Sequence, residues 1–324
     1  MKIGLFGCGA YGMALSNILI DNRCEVTMWT KFVEEKQLLE EKRGNDKLIP
    51  NFKIADSIKI TTSIEECVKD KDLLIIAIPA AFVNDLCVSL KPYIKDNHIL
   101  VATKGIEQKT GLFMNQIIEK HLDTKNVAII SGGTFAIDLT ERMPAGLSLA
   151  TLSSKTAEIS KKALQNNYVK LRVTDDIIGV EICGSLKNVI ALSSGIIEGL
   201  GANESTKAML ITESVHDMEE ILNSFECKRR TVLSYAGIGD LILTCNSTKS
   251  RNYSFGKLIG SKASKEEIKN YLENTTVEGY YTLTSIYELL KDKNVKIPTI
   301  DLIYDIVVNG RNPEILFNFL INKL

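Results

Sequence analysis

The chain has 324 residues, 45% of them hydrophobic, with 39 lysines and arginines against 40 aspartates and glutamates for a formal net charge of -1. That length exceeds what a single core usually sustains, so two domains are expected. Balanced charge leaves no global basic field for nucleic acid or an acidic membrane, and any phosphate recognition must be local.

The chain opens Met1-Lys2-Ile3-Gly4-Leu5-Phe6-Gly7, entering a strand at once and lacking the regions of a signal peptide, so the mature protein is expected to start here. Short apolar, β-branched runs predict strands at Lys2 to Phe6, Val26 to Trp29, Leu73 to Ile78, His98 to Thr103, Val127 to Ser131, Gly146 to Ala150 and Val169 to Val173. Amphipathic helical segments alternate with them, Lys155 to Gln165 among these, which is the pattern of a parallel sheet with crossover helices. The longest apolar run, Leu73 to Val83, is interrupted by Pro79 and is far too short to cross a bilayer, so no membrane span is expected.

From about Asp175 the apolar residues recur at helical spacing, through Ile177 to Gly199, Lys207 to Asn223 and Thr282 to Leu290. Gly237, Gly239, Pro298, Gly310 and Pro313 punctuate this half as helix ends and turns, and Ser261 to Lys269 reads as a solvated helix face with its preceding turn. The expected fold is α/β, with an N-terminal Rossmann-type, mostly parallel sheet domain over residues 1-174 and a C-terminal all-helical domain over 175-324.

After the first strand comes Gly7-Cys8-Gly9-Ala10-Tyr11-Gly12, a GxGxxG that leads into the apolar helical run Met13 to Ile20. Gly7 permits the tight turn, Gly9 lets the backbone approach a pyrophosphate, and Gly12 lets the helix pack close to the strand. The helix N-terminus then offers free N–H groups and partial positive charge to phosphates. Glycines in a turn also serve purely structural ends, but their place between strand and helix favours dinucleotide binding.

An acidic residue near the end of the second strand would accept a hydrogen bond from the ribose 2′-OH. The sequence there is Trp29-Thr30-Lys31, without a carboxylate, and Lys31 could pair with a 2′-phosphate. The cofactor is therefore NADP or NAD, with NADPH favoured. Glu34 and Glu35 come slightly late, though a shifted loop could bring one back, and Lys31 could equally be an ordinary exposed lysine.

The seven cysteines show no CxxC or other ligand spacing and read as reduced, cytosolic thiols. His98, His121 and His216 have no nearby ligand partners, so no metal is expected. In the second half, Gly184-Ser185-Leu186-Lys187-Asn188 sets a lysine and an amide in an otherwise apolar helix, where a lysine must snorkel to solvent or have a task. Further on come Gly237-Ile238-Gly239-Asp240-Leu241, Thr244-Cys245 and Ser250-Arg251-Asn252. Each alone is more often structural than catalytic.

Together with ATKGIE, SGGTFA, PAGLSLA and VEGYYT, these segments resemble the bacterial NAD(P)-dependent glycerol-3-phosphate dehydrogenase family over nearly the whole chain. The resemblance implies interconversion of glycerol-3-phosphate and dihydroxyacetone phosphate, with Lys187 as the acid/base and Lys104 touching both substrate and nicotinamide. Asp240 would orient the substrate and Lys187. Ser250, Arg251 and Asn252 would receive the phosphate, and Gly132 and Thr134 would close the substrate site. Ala10, Tyr11, Lys31, Lys104, Ala136, Arg251 and Glu278 would line the cofactor. A cytoplasmic homodimer that supplies glycerol-3-phosphate for phospholipid synthesis is the implied setting.

The chemistry agrees with this assignment. Reducing a ketone by hydride calls for a proton donor where alkoxide charge develops, and oxidation needs the same group neutral. A lysine serves both directions if its pKa falls from about 10.4, which a cationic Lys104 nearby would promote and Asp240 would oppose. An arginine fork with an adjacent asparagine suits a small phosphorylated triose.

Several positions depart from the family pattern. Its SGP reads Ser131-Gly132-Gly133, its following basic residue is Ile137, and Ala80 and Ala81 replace polar residues after Pro79. Ile211-Thr212-Glu213-Ser214 puts a glutamate where the family carries an arginine, and Asn203-Glu204-Ser205-Thr206 lies in a stretch about two residues longer than usual. These departures keep open a non-catalytic NAD(P)-binding sensor or partner protein derived from this family, and, because a fold does not fix its substrate, a dehydrogenase of similar architecture acting on another hydroxy compound is a further alternative.

Overall fold

The computed structural model describes residues 1–108 and 110–322. They form two compact units: Met1–Lys104 with Phe113–Ile177, and Gly105–Leu112 with the chain from Ile178 onward. The short stretch Gly105–Leu112, inside the sequence-predicted first domain, thus groups with the second unit.

The first unit is an eight-stranded sheet of β1 (Lys2–Phe6), β2 (Glu25–Trp29), β3 (Lys59–Thr61), β4 (Leu73–Ile76), β5 (His98–Val101), β6 (Val127–Ser131), β7 (Ala145–Ala150) and β8 (Val169–Thr174). Their order is β3-β2-β1-β4-β5-β6-β7-β8, and every neighbouring pair is parallel except β6 with β7. Helices α1 (Ala10–Asp21), α2 (Val33–Lys42), α3 (Ile64–Val68), α4 (Val83–Leu90), α5 (Met114–Leu122), α6 (Ala136–Thr140) and α7 (Ser154–Leu164) connect the strands. Central strands covered on both faces must be apolar along their whole length. Accordingly β4, Leu-Leu-Ile-Ile, is buried throughout, and so is β1 from Ile3 to Phe6.

Two predicted strands run shorter than expected. β4 stops at Ile76 and β5 at Val101, because the chain then turns: Pro79 opens a short 3-10 turn, Ala80–Phe82, and Thr103 Oγ1 donates instead to the Ile78 carbonyl at 2.7 Å. The three-residue β3 was not predicted at all.

One surface cluster closes the unit. The Arg142 guanidinium donates through Nε and Nη2 to both Asp21 oxygens, at 2.7 and 3.1 Å, and Tyr168 donates to Asp21 Oδ2 at 2.6 Å. The Arg142 hydrogen bond, with help from Tyr168, holds the Asp21 carboxyl below its ordinary value. A carboxylate with a lowered folded pKa stabilises above its unfolded value of about 4, and that contribution disappears as pH falls through the folded pKa. Asp21→Asn is therefore expected to lower the urea midpoint at pH 7 and to leave it less sensitive to acidification below about pH 4.

The second unit is helical: α8 (Ile177–Gly199), α9 (Glu204–Ser224), α10 (Asp240–Cys245), α11 (Arg251–Gly260), α12 (Lys265–Asn274), α13 (Glu278–Asp292), α14 (Pro298–Val307) and α15 (Ile315–Asn322). α8 begins and ends where the periodicity placed it. It is long and apolar enough to span a bilayer, yet 83% of its most apolar window is buried against the rest of the protein, as the core helix of a folded domain is. α12 has no buried residue and starts from a Ser264 capping box, in keeping with the solvated face expected there.

α8 and α11 cross at backbone contact. A Cβ on Gly195 would sit 2.0 Å from the Tyr253 carbonyl oxygen, and one on Gly256 would sit 1.9 Å from that of Leu192. No side chain fits either gap, so Gly256→Ala must push the helices apart. The expected cost is about 1–3 kcal/mol of overpacking, read as a lower urea midpoint.

Candidate functional site

Nucleotide chemistry in an open α/β sheet gathers where the strand order reverses, at the carboxyl ends of the strands. Here the reversal falls between β1 and β4, and the glycine turn stands above it. Gly7 has φ +123°, a conformation side chains rarely adopt, and its N–H donates to the Trp29 carbonyl at 2.9 Å. A Cβ on Gly12 would lie 2.0 Å from the Gly7 carbonyl oxygen, so the turn closes only with glycine at both places.

Gly9 differs. A Cβ there would meet nothing within 4 Å, so the space over its backbone is open. Gly9 also caps α1 with no side-chain hydrogen bond, and the first turn carries no acidic residue. The N–H groups of that first turn have no partner within the helix and concentrate positive charge. This combination fits a pyrophosphate, and therefore a dinucleotide.

Beside the turn, the Tyr11 and Thr134 hydroxyls lie 3.1 Å apart. Lys104 Nζ donates to the Gly132 carbonyl at 3.1 Å, and the Thr134 N–H donates to the same oxygen at 3.0 Å. Four sequence-predicted residues from three separate segments, Tyr11, Lys104, and Gly132 with Thr134, are thus joined in one cluster. Ala136 opens α6 and packs against the core under α1. Lys31 is exposed just beyond β2.

In the helical unit, Lys187 and Asp240 meet. Lys187 Nζ lies 2.9 Å from Asp240 Oδ1 and 3.1 Å from Thr244 Oγ1, with the lysine side chain 11% and the aspartate 1% exposed. Thr244 donates its hydroxyl to the Asp240 carbonyl at 2.7 Å, so its oxygen is set to accept from Lys187. α10 begins at Asp240, which puts the carboxylate at a helix N-terminus, and Ser194 Oγ donates to the Cys245 carbonyl at 2.9 Å, fastening α10 to α8. A buried ammonium between a carboxylate and a hydroxyl is held in one position, as a proton donor must be.

A second chain of contacts ties α8, α11 and α13. Asn188 Nδ2 donates to Glu278 Oε2 at 3.3 Å, Asn252 Nδ2 donates to Asn188 Oδ1 at 2.9 Å, and the Gly279 N–H donates to Asn252 Oδ1 at 2.8 Å. The Ser250 hydroxyl oxygen caps α11 by accepting from the Tyr253 N–H at 3.3 Å. Arg251 follows at the first helical position, exposed, in a first turn free of acidic residues. A guanidinium beside a helix N-terminus is suited to a phosphate dianion. Thr244 and Asn188 had no assigned role from the sequence. The signal for Thr244 was its spacing of four from Asp240, one helical turn.

A concavity of about 1000 Å³ opens at the opposite, amino ends of β1, β4 and β5, near Met1, Asp72 and His98. Five lysines and five carboxylates line it together, so it offers no net charge to a phosphate, and it lies away from the glycine turn. Among the described residues no group of three or more His, Cys, Asp or Glu could hold a metal ion.

Comparison with known proteins agrees in both units. Residues 2–157 match the family described as NAD-dependent glycerol-3-phosphate dehydrogenase N-terminus, and residues 176–318 match its C-terminus. A relative from Fusobacterium nucleatum named glycerol-3-phosphate dehydrogenase [NAD(P)+] is 35% identical over 316 residues, covering 96% of this chain and 94% of its own. One of the same name from Agathobacter rectalis is 34% identical, covering 93% and 89%. The crystal structure of glycerol-3-phosphate dehydrogenase from Coxiella burnetii superposes with a TM-score of 0.92 at 25% identity, covering 99% of each chain.

Proposed function

The chain belongs to the NAD-dependent glycerol-3-phosphate dehydrogenase family, and from that premise we propose how its residues divide one reaction. The reaction interconverts sn-glycerol 3-phosphate and dihydroxyacetone phosphate by hydride transfer with NAD or NADP. The sheet unit binds the nucleotide and the helical unit supplies the proton chemistry and the phosphate site. Bound nicotinamide supplies or accepts the hydride.

Every other task falls to side chains. Gly7, Gly9 and Gly12 shape the pyrophosphate turn, and Ala10, Tyr11, Lys31, Lys104, Ala136, Arg251 and Glu278 line the cofactor. Lys187 gives its proton to the ketone oxygen as charge develops there, and takes one from the alcohol in reverse. Asp240 and Thr244 hold the Lys187 ammonium in place, at 2.9 and 3.1 Å. Arg251 and Asn252, with Ser250 at the cap, receive the substrate phosphate. Lys104, Gly132 and Thr134 also contact the substrate.

The buried Lys187–Asp240–Thr244 group is the observation that carries this reading. Burying a charged pair costs several kcal/mol of desolvation that packing alone does not require, and such groups concentrate at catalytic sites. We place the enzyme in the cytoplasm as a homodimer, working toward glycerol-3-phosphate for phospholipid backbones; its cysteines, free thiols throughout, suit a reducing compartment.

The test is substrate-dependent oxidation of reduced nicotinamide. Dihydroxyacetone phosphate should be consumed one for one with the nucleotide and yield glycerol-3-phosphate, while unphosphorylated dihydroxyacetone should react poorly. Nucleotide binding without turnover of either ketone would overturn the reading in favour of a binding protein.

A further inference from the structure

We infer that Glu35, reaching back from α2, is the ribose-recognising carboxylate of this chain, and that it makes NADH the preferred nucleotide over NADPH. The inference rests on the dehydrogenase reading above.

The end of β2 lacks the acidic residue that would accept from a ribose 2′-OH. The residue standing there, Thr30, instead donates its hydroxyl to Glu35 Oε2, and the same Thr30 oxygen accepts from the Phe32 N–H at 3.2 Å. Glu35 is therefore anchored against the strand end from the first turn of α2. Its other oxygen, Oε1, has no hydrogen-bond partner among the described residues, and a carboxylate has lone pairs to spare for a further donor.

The strand end that anchors the carboxylate adjoins the glycine turn, since the Gly7 N–H donates to the Trp29 carbonyl at 2.9 Å and the Cys8 thiol donates to the same oxygen at 3.6 Å. The Cys8 thiol in that turn is pushed up, first by burial and then by the Glu35 charge. A carboxylate anchored at the end of β2 stands where a ribose diol is read in this class of fold.

Charge balance points the same way. Lys31, the one basic residue between β2 and α2, is exposed, whereas Glu34 and Glu35 together occupy the first turn of α2. They neutralise the helix terminus that could otherwise attract a 2′-phosphate. One lysine against two carboxylates repels a phosphate dianion and welcomes a hydroxyl donor. This preference is opposite to the one Lys31 alone suggests.

The experiment is a fluorescence titration of NADH and NADPH into wild type, Glu35→Gln and Lys31→Ala, without substrate, so that it reads binding independently of turnover. Wild type should bind NADH about tenfold more tightly than NADPH or better, as a charge-assisted hydrogen bond gained and a repulsion avoided would give. Glu35→Gln keeps the shape and the hydrogen bond from Thr30 but removes the charge, and should narrow that ratio severalfold, with NADPH gaining. Lys31→Ala should widen the wild-type ratio further, because it removes the one cation between β2 and α2 that a 2′-phosphate could meet. Tighter binding of NADPH by wild type, or a ratio that Glu35→Gln does not move, would overturn the role of Glu35 while leaving the dehydrogenase reading intact. Failure of wild type to bind either nucleotide would overturn both.

Discussion

Lys187→Met should reduce kcat by about 10²–10⁴-fold, the range for loss of a positioned acid or base, with nucleotide affinity unchanged. The two readouts separate because the glycine turn lies in the sheet unit and Lys187 in the helical one. The substitution has a second consequence. Asp240 is 1% exposed, and removing its cation strands a buried carboxylate, which costs about 3–5 kcal/mol unless it takes up a proton. The double variant Lys187→Met with Asp240→Asn removes that stranded charge. Its urea midpoint should recover toward wild type while its turnover stays lost. Recovery of stability together with activity would mean that Lys187 only packs the helices.

Arg251→Ala should raise the KM for dihydroxyacetone phosphate by about 10- to 100-fold, as loss of hydrogen bonds to a charged group implies, with a smaller change in kcat. The side chain is exposed at the first helical position of α11, so its removal opens no core cavity, and the unfolding midpoint should stay within the range of surface substitutions. Turnover of unphosphorylated dihydroxyacetone, already poor, should not change. Arg251→Lys should restore KM only partly, because a point charge lacks the planar fork. Asn252→Ala differs in kind: Asn252 is buried and links Asn188 to the Gly279 N–H, so its loss disturbs the helical scaffold as well as the phosphate site.

Strands and helices with strong periodicity were readable from the sequence. β1 and α8 fall where the apolar pattern put them, since a doubly covered strand and a core helix must be apolar along their lengths. β3 was missed because three residues at a sheet edge carry too little pattern. The turn after β4 was misplaced because apolar residues continue past Ile76 toward Pro79, and only hydrogen bonding reveals where the ladder ends. The direction of β7 has no signature in its own residues, since parallel and antiparallel strands can be equally apolar.

The site divides similarly. Motifs singled out Lys187, Asp240, Arg251 and the glycine turn, because those residue types are costly or unusual where they stand. Thr244 has no such cost: a threonine one turn from Asp240 becomes meaningful only when its oxygen is found 3.1 Å from Lys187 Nζ. Glu35 lay in view but out of place, counted as late along the chain. A helix that folds back on its own strand brings it to the strand end through Thr30.

The most direct test of the proposed chemistry is isotopic. Nicotinamide dinucleotide dideuterated at ring C4, in its reduced form, is incubated with the protein and dihydroxyacetone phosphate, and the glycerol-3-phosphate formed is read by mass spectrometry and NMR. One deuterium at C2 of each product molecule, with none incorporated at C2 from deuterated solvent when the nucleotide is unlabelled, is the result expected of direct hydride transfer with a proton from Lys187. Solvent deuterium at C2, or a bound nucleotide that never yields labelled product, would contradict it.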